Sequence, residues 1–151
     1  YYENDLLTFP SPESAYGGVR FRHLPEARYD KGKSRTNPGE AAALVEELVR
    51  RLRATEGPRF SYGVVTFSQA QQQLVENLLD EERRKYPEIE VHFGDEPPVE
   101  GEPVFVKNLE NVQGDERDVI FFSICYGPDE TGKVSMNFGP LNRDGGERRL
   151  N

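Results

Sequence analysis

The run YGVVTF at residues 62–67 constrains the fold more than any other stretch of the chain. Neither of its two sets of alternating positions is polar, which is typical of a strand covered on both faces in a parallel sheet. Ser68 follows directly and is a suitable helix N-cap, with Gln71 as its capping-box partner. Apolar residues then recur at helical spacing: Ala70, Leu74, Val75, Leu78 and Leu79. A buried strand that leads straight into an amphipathic helix predicts an α/β domain with a mainly parallel sheet.

A second helix is predicted before this strand. Asn37 is a suitable N-cap, Pro38 occupies the first helical position, and Glu40 stands three residues after the cap. Further strands are predicted from apolar or alternating runs, at residues 19–24 (VRFRHL), 89–93 (IEVHF), 104–107 (VFVK) and 119–125 (VIFFSIC). In parallel α/β sheets ligands bind beyond the carboxyl ends of the strands, so the loops that follow them are where a site is expected.

Length and composition fit one domain. The chain has 151 residues, 35% of them hydrophobic, which is enough for the core of a single α/β domain. No apolar run approaches the roughly 18 residues of a membrane helix, and the start YYENDLLTFP does not resemble a signal peptide. The missing initiator Met and the abrupt ends predict a piece of a longer protein. The single cysteine, Cys125, lies in an apolar run, so we expect a buried, inert thiol and a reducing, cytoplasmic setting.

The net charge of −8 argues against a nucleic-acid-binding domain, because such domains typically carry a basic surface. Basic residues are nevertheless concentrated locally, in residues 20–23, 31–35 and 143–149. Nucleic-acid binding therefore stays open on composition and depends on motifs.

The sequence KGKS at residues 31–34 resembles the end of a P-loop but does not complete one. The full pattern requires a glycine at the position of Ala27, and it places the helix start at the serine rather than at Pro38. A dinucleotide-binding glycine fingerprint after a strand is also missing, which argues against a Rossmann-type metabolic enzyme. If the protein uses ATP, the loop that cradles the phosphates lies outside these residues.

Two segments after predicted strands are candidate sites. In TFSQAQ (66–71), the hydroxyls of Thr66 and Ser68 and the helix N-terminus could meet a phosphate, or the segment could be a plain capped turn. In NVQGDERD (111–118), Gly114 permits an unusual backbone, Gln113 can donate and accept hydrogen bonds, and Glu116 could accept bonds from ribose hydroxyls. That segment could equally be a charged turn before a strand, with Asp115 solvated.

The C-terminal segment LNRDGGERRLN (141–151) is a third candidate. Its arginines, among them Arg148 and Arg149, could contact phosphates, or they could be solvated charges on a helix start. Composition alone does not separate the two.

Taken in order, four segments resemble the second RecA-like domain of a superfamily I helicase of the up-frameshift type, and most closely the long bacterial helicases of that branch. SRTNPGEA (34–41) resembles the Asn-x-x-Glu-Ala helix start of that family, and GVVTFSQAQ resembles its motif IV. VKNLENVQGDERDVIFFSICYG resembles motif V, with its Gln-Gly-x-Glu core followed one residue later by Asp. GPLNRDGGERRLN resembles the approach to motif VI. The resemblance covers roughly residues 15–151.

The resemblance implies roles for individual residues. Gln71 matches the motif IV glutamine. The implied nucleotide-binding set is Gln113, Gly114, Glu116 and Arg149, with Glu116 near the ribose. The implied nucleic-acid-binding set is Thr66, Ser68 and Asn108. No catalytic residue and no metal ligand is assigned within the chain. Two positions differ from the family, which often has a basic residue where this chain has Gln72 and commonly Ser or Thr at position 108.

The resemblance also implies a fold and a function. The fold is a three-layer RecA-like (P-loop NTPase type) α/β domain with a mainly parallel central sheet and helices on both faces. Residues 1–18 would connect it to a preceding part of the protein, and residues 19–151 would form the second RecA-like domain, truncated before the end of motif VI. In the family, the Thr-Arg pair that carries the arginine finger lies a few residues beyond Arg-Arg-Leu-Asn.

The implied function is the C-terminal motor domain of an ATP-dependent DNA or RNA helicase. Its cofactor would be ATP with Mg²⁺ in the full-length protein, and these residues alone would bind and hydrolyse none because they lack a P-loop. Its partners would be single-stranded nucleic acid, with DNA slightly favoured over RNA, and the first RecA-like domain of the same polypeptide, with no membrane contact. The alternative is a noncatalytic α/β interaction domain with a degenerate helicase-like fold.

Overall fold

A computed structural model describes residues 18–57, 59–99 and 102–134. Its regular elements, in chain order, are helix α1 (Pro38–Leu52), strand β1 (Tyr62–Thr66), helix α2 (Gln69–Lys85), a 3₁₀ helix (Pro87–His92), strand β2 (Phe105–Asn108) and strand β3 (Val119–Ser123). The three strands form one parallel sheet in the order β2-β1-β3. The domain is therefore a small α/β fold with a parallel sheet, as the sequence predicts.

The central strand β1 is buried along its whole length because it is paired on both edges and covered on both faces. Val64 and Val65, which point to opposite faces, are 0% and 1% exposed. The prediction that YGVVTF is a strand with two buried faces is confirmed. Its last paired residue, Thr66, lies beside Asn108 of β2 and Ser123 of β3 at the carboxyl edge of the sheet, where all three strands end.

Helices α1 and α2 begin where their caps predict. The Asn37 side chain accepts a hydrogen bond from the amide of Glu40, and the Ser68 side chain accepts one from the amide of Gln71. Both helices pack on the sheet face that carries Tyr62 and Val64. Together they form one hydrophobic core: Ala41, Leu44, Val45, Leu48, Val49, Leu52, Tyr62, Val64, Val75, Leu79 and Ile89. No helix of the described ranges packs on the opposite face, so the second helical layer of the three-layer prediction is not among them.

The opposite face of the sheet is crossed by the chain between β2 and β3. Since these strands are parallel and flank β1, residues 109–118, here called the crossover, return from the carboxyl edge to the amino edge. A return on the face opposite α2 gives both connections the right-handed sense that parallel strands favour. Beneath the crossover, the Phe105 ring lies on the backbone of Gly63, and a Cβ on that glycine would stand 2.4 Å from the ring. The glycine is what lets the ring lie across the central strand.

The strand predicted at residues 19–24 is wrong. The segment has no regular structure and pairs with none of the strands in the described residues. Val19 and Phe21 are 102% and 79% exposed, so the alternation of apolar and basic residues does not bury an apolar face. Phe21 instead stacks on His23, with ring centroids 6.4 Å apart.

The strand predicted at residues 89–93 is also wrong, because Pro87–His92 forms a 3₁₀ helix. Proline favours this start, since its fixed φ suits the first helical position and its missing N–H is not needed there. Ile89 is fully buried in the helical core while Val91 is 49% exposed, a pattern that a strand with both on one face would not give. His92 completes the packing with a 3.1 Å contact between its Nε2 and the Leu52 carbonyl.

The last strand is shorter than the predicted 119–125, since β3 ends at Ser123. Cys125 has a φ of 69°, in the left-handed region that a strand does not use. The backbone turns there because the amide of Cys125 is bound by the Glu40 carboxylate at 3.0 and 3.1 Å rather than by a strand.

Candidate functional site

The carboxyl edge of the sheet brings the implied nucleic-acid-binding residues together. The Thr66 hydroxyl donates to the Ser68 carbonyl at 2.9 Å, which fixes the turn from β1 into α2. On the neighbouring strand, the Asn108 side chain accepts the amide of Glu110 at 3.0 Å and so shapes the start of the crossover. Thr66 is 0% and Asn108 8% exposed, while Ser68 is half-buried. Thr66 and Asn108 therefore organise this edge from inside, and Ser68 lies nearer its surface.

Gln71 is the centre of a buried polar cluster at the same edge, formed with Asn37, Glu40, Ser123 and the backbone of Cys125. Its Oε1 accepts the amide of Asn37 at 2.8 Å. Its Nε2 donates to the Asn37 carbonyl at 3.2 Å and to the Ser123 hydroxyl at 3.1 Å. One fully buried amide therefore joins the first turn of α2 to the cap of α1 and to the end of β3.

Glu40 completes this cluster from the first turn of α1. Its carboxylate accepts the Ser123 hydroxyl at 2.8 Å and the amide of Cys125 at 3.0 Å. The Asn37 side-chain amide donates to the Cys125 carbonyl at 3.2 Å. Buried polar groups destabilise a fold unless they are hydrogen-bonded, and no described buried side-chain polar atom is left without a partner.

The capping-box prediction is therefore correct for the cap residues Asn37 and Ser68. It is wrong for the side chains of Glu40 and Gln71, which were expected to bond back to the cap amides. Gln71 does not reach back to its own cap at Ser68, and Glu40 does not reach back to Asn37. Both side chains are used in contacts between elements, because the two helix starts and the end of β3 meet at one point. Glu40 of the Asn-x-x-Glu segment and Gln71 of motif IV thus join separate elements, a role that a local sequence pattern does not predict.

Cys125 is a buried thiol, as predicted. Burial, with a contribution from the nearby Glu40 charge, raises the pKa of its thiol to about 12. A thiol that stays protonated is a poor nucleophile, so the inert interpretation is confirmed by its surroundings.

The implied nucleotide-binding residues of the described chain lie on the crossover, apart from the polar cluster. Gln113, Gly114 and Glu116 are all exposed. Gly114 has a φ of 86°, so the prediction that this position needs a glycine's backbone freedom is confirmed. Arg149 lies outside the described residues.

Three charged residues of the crossover attach it to the sheet, and the sequence predicted none of their contacts. Asp115, expected to be solvated, forms an ion pair with Lys107 at 2.7 Å. Arg117 donates to the Pro103 carbonyl at 2.9 Å and stacks over the Phe105 ring at 5.0 Å. Asp118 accepts both the amide and the hydroxyl of Ser61, at 2.8 and 3.1 Å, and joins the starts of β3 and β1. Three of the four charges of QGDERD thus hold the loop, while the fourth, Glu116, stays exposed.

Gln72, where the family often has a basic residue, is turned toward its own domain. Its Nε2 donates to the Glu76 carboxylate at 2.8 Å and to the Val106 carbonyl at 3.2 Å. The side chain ties α2 to β2, so a contact with a phosphate is not expected from it.

The KGKS segment forms a closed turn rather than a phosphate cradle. The Asp30 carboxylate accepts the amide and the hydroxyl of Ser34, at 3.1 and 2.9 Å. These hydrogen bonds, the backbone one first, hold the pKa of the Asp30 carboxyl below its usual value. Because a carboxylate occupies the inside of the turn and α1 begins only at Pro38, the exclusion of a P-loop is confirmed.

The crossover presents exposed side chains that can form hydrogen bonds. The exposed Glu116 carboxylate and Gln113 amide provide acceptors and a donor suited to ribose hydroxyls or a base edge. They offer no cationic cradle for phosphates, and no three His, Cys, Asp or Glu side chains in the described ranges are grouped to hold a metal ion. Nor is any helix of those ranges long and apolar enough to cross a bilayer.

Comparison with known proteins places these features in a family. The profile of the AAA domain family AAA_12 matches residues 7–151. An uncharacterized ATP-dependent helicase of Mycoplasma genitalium, MG140, is 37% identical over 123 residues, which is 79% of this chain and 10% of that protein. Its homologue in Mycoplasma pneumoniae is 36% identical over 121 residues, again 79% of this chain and 10% of the relative. No solved structure matches the chain.

The chain spans about a tenth of the length of these curated relatives. The matched residues include β1, α2, the crossover and β3, which carry the geometry described above. The chain therefore belongs to the AAA_12 family of AAA domains.

Proposed function

We propose that this chain is the second, C-terminal RecA-like motor domain of an ATP-dependent helicase of the up-frameshift type. The observation that carries the proposal is the polar cluster at the carboxyl edge. Asn37 and Glu40, Gln71, and Ser123 come from three separate segments that resemble helicase motifs, and they meet through hydrogen bonds of 2.8 to 3.2 Å. Segments that match one family in order and also converge in space support a shared machinery rather than separate chance matches.

In this proposal the nucleotide lies between this domain and a first RecA-like domain of the same polypeptide. The first domain supplies the P-loop and the acids that hold Mg²⁺. This domain supplies the exposed crossover, where Glu116 accepts hydrogen bonds from the ribose, and the start of motif VI with Arg149. An arginine finger that meets the γ-phosphate only on closure is worth on the order of 10³ to 10⁵ in rate, so closure controls hydrolysis.

Nucleic acid would run along the carboxyl edge. Ser68 and Asn108 lie at the ends of adjacent strands there, and Thr66 fixes the turn that carries Ser68. The crossover begins at this edge and carries the nucleotide-facing residues further along, so one segment would touch both ligands. Movement of the crossover with nucleotide state would couple hydrolysis to stepping along a single strand. The net charge of −8 is compatible with this role, since hydroxyls, amides and local cations can make the backbone contacts.

The residue with the sharpest test is Glu116. In the full-length protein, Glu116→Ala should raise the KM for ATP about tenfold with little change in kcat. The reason is that a charge-assisted hydrogen bond to the ribose stabilises ground state and transition state alike. Steady-state ATPase assays with single-stranded DNA and with single-stranded RNA measure this.

Glu130→Ala is the matched control, because Glu130 is an exposed acid on a loop outside the crossover. Its kinetic constants should equal those of the unchanged protein. An unchanged KM in Glu116→Ala would refute the ribose contact. Absence of any nucleic-acid-stimulated ATPase in the unchanged full-length protein would favour a noncatalytic interaction domain instead.

A further inference from the structure

A basic turn at residues 30–35, DKGKSR, lies beside the proposed nucleic-acid edge, and its lysines precede the first helicase-like segment, residues 34–41. Although the chain as a whole is acidic, residues 19–35 contain six Lys or Arg and only two acidic residues. In the turn itself, Lys31, Lys33 and Arg35 are all exposed. The acidic average of the chain therefore hides a local cationic surface.

The basic turn is held in a defined shape. The Asp30 carboxylate closes it through Ser34, and the Asp30 amide donates to the Thr36 carbonyl at 2.8 Å. The preceding residue, Tyr29, donates its amide to the Pro128 carbonyl at 2.9 Å and packs edge-on against Tyr126, with ring centroids 5.4 Å apart. The turn is thus attached to the loop that follows β3. Because its backbone is already ordered, binding a ligand there costs little backbone entropy.

The three cations of the basic turn form no ion pair with a described residue. Asp30 is occupied by Ser34, and Asp129, which interacts electrostatically with Lys31, already accepts the Thr131 hydroxyl at 2.6 Å. Several cations of the helices and sheet, in contrast, form ion pairs with acids: Arg50, Arg51, Arg53, Arg83, Lys85 and Lys107. The side chains of Lys33 and Lys31 interact with Asp30 and Asp129 only electrostatically, so their exposed ammonium groups can still contact an external anion.

The basic turn lies close to the carboxyl edge of the sheet. The Arg35 carbonyl lies 3.8 Å from the sulfur of Cys125, just beyond the end of β3. Two residues further on, the amide of Asn37 is bound by Gln71 in the first turn of α2. The end of the basic turn is therefore joined to the carboxyl edge beside the start of α2.

We infer that the basic turn is an additional phosphate-binding element for single-stranded nucleic acid, contacting the backbone through Lys31 and Lys33 without sequence preference. The inference deepens the proposed function and rests on it, since it assumes that single-stranded nucleic acid runs along the carboxyl edge. Flexible ammonium groups act as point charges on phosphates and carry no base information. At this edge the two lysines would offset the repulsion between the acidic domain and the nucleic-acid phosphates.

The test compares Lys31→Gln/Lys33→Gln in the full-length protein with the unchanged protein. Binding of a fluorescein-labelled 20-mer of deoxythymidine, and of its uridine counterpart, is measured across a salt series. Loss of two phosphate contacts should reduce the slope of log affinity against log salt by about 1.4, because each contact to a single strand contributes about 0.7. Affinity should fall by the same factor for a mixed-sequence strand.

The matched control is Arg59→Gln/Arg84→Gln, which removes the same charge from exposed positions away from the turn. Thermal unfolding verifies that both double variants are folded. A slope that stays equal to the control overturns the inference while leaving the proposed function intact. If the unchanged protein binds neither oligonucleotide, the proposed function and this inference fail together.

Discussion

Replacing Gln71 with leucine should lower the free energy of unfolding by about 3 kcal/mol, because it removes hydrogen bonds from buried polar groups in two other elements. The amide and carbonyl of Asn37 and the hydroxyl of Ser123 each lose a partner, and the Asn37 amide is left with none. Leucine has a similar size, so the loss comes from these hydrogen bonds rather than from a cavity. Gln71 is 0% exposed, and water cannot replace the missing amide without opening the cluster.

Gln73→Leu is the matched control on the same helix. Gln73 is exposed and its side chain donates only to Asn77, at 3.3 Å. Urea unfolding of the two variants should give a midpoint shift for Gln71→Leu and almost none for Gln73→Leu, with equal slopes. Equal midpoints would mean that the polar cluster contributes nothing to stability, and the structural account of the motif IV glutamine would have to be abandoned.

The elements predicted correctly are those whose signals are local. Asn37 and Ser68 start their helices at the predicted residues because a cap acts within one turn. The wrong predictions, at residues 19–24 and 89–93, rested on alternation or apolar character alone. A short apolar alternation becomes a strand only if a partner strand and a buried face are available, and Phe21 and Val91 have neither.

The polar cluster could not be predicted for a different reason. The hydrogen bonds that join its segments span 34 to 88 residues, and they exist only after the sheet has formed. The same holds for Asp118, whose partner Ser61 is 57 residues away. Resemblance to the helicase family identified the positions of Glu40, Gln71 and Asp118, but their hydrogen-bond partners come from the geometry of the fold.

The position of the crossover depends on the close approach of the Phe105 ring to Gly63, which the sequence does not predict. Gly63→Ala should destabilise the protein by about 2 kcal/mol, since the new Cβ would meet the ring at 2.4 Å. The ring has little freedom to move away, because the Lys107 and Arg117 side chains lie over it at 5.2 and 5.0 Å. Denaturant unfolding measures the loss. Lifting the ring would also disturb the Asp115–Lys107 ion pair that holds the crossover.

A double-mutant cycle isolates this contact. In a Phe105→Ala background, Gly63→Ala should be neutral or slightly stabilising, because alanine loses less backbone entropy than glycine in a strand and nothing remains for it to strike. A coupling energy of about 2 kcal/mol would therefore identify the Gly63–Phe105 contact as the cause. If Gly63→Ala were equally destabilising with and without the ring, the backbone of β1 itself would be responsible. In that case the position of the crossover, and of the exposed Glu116 on it, would not depend on the contact between Gly63 and Phe105.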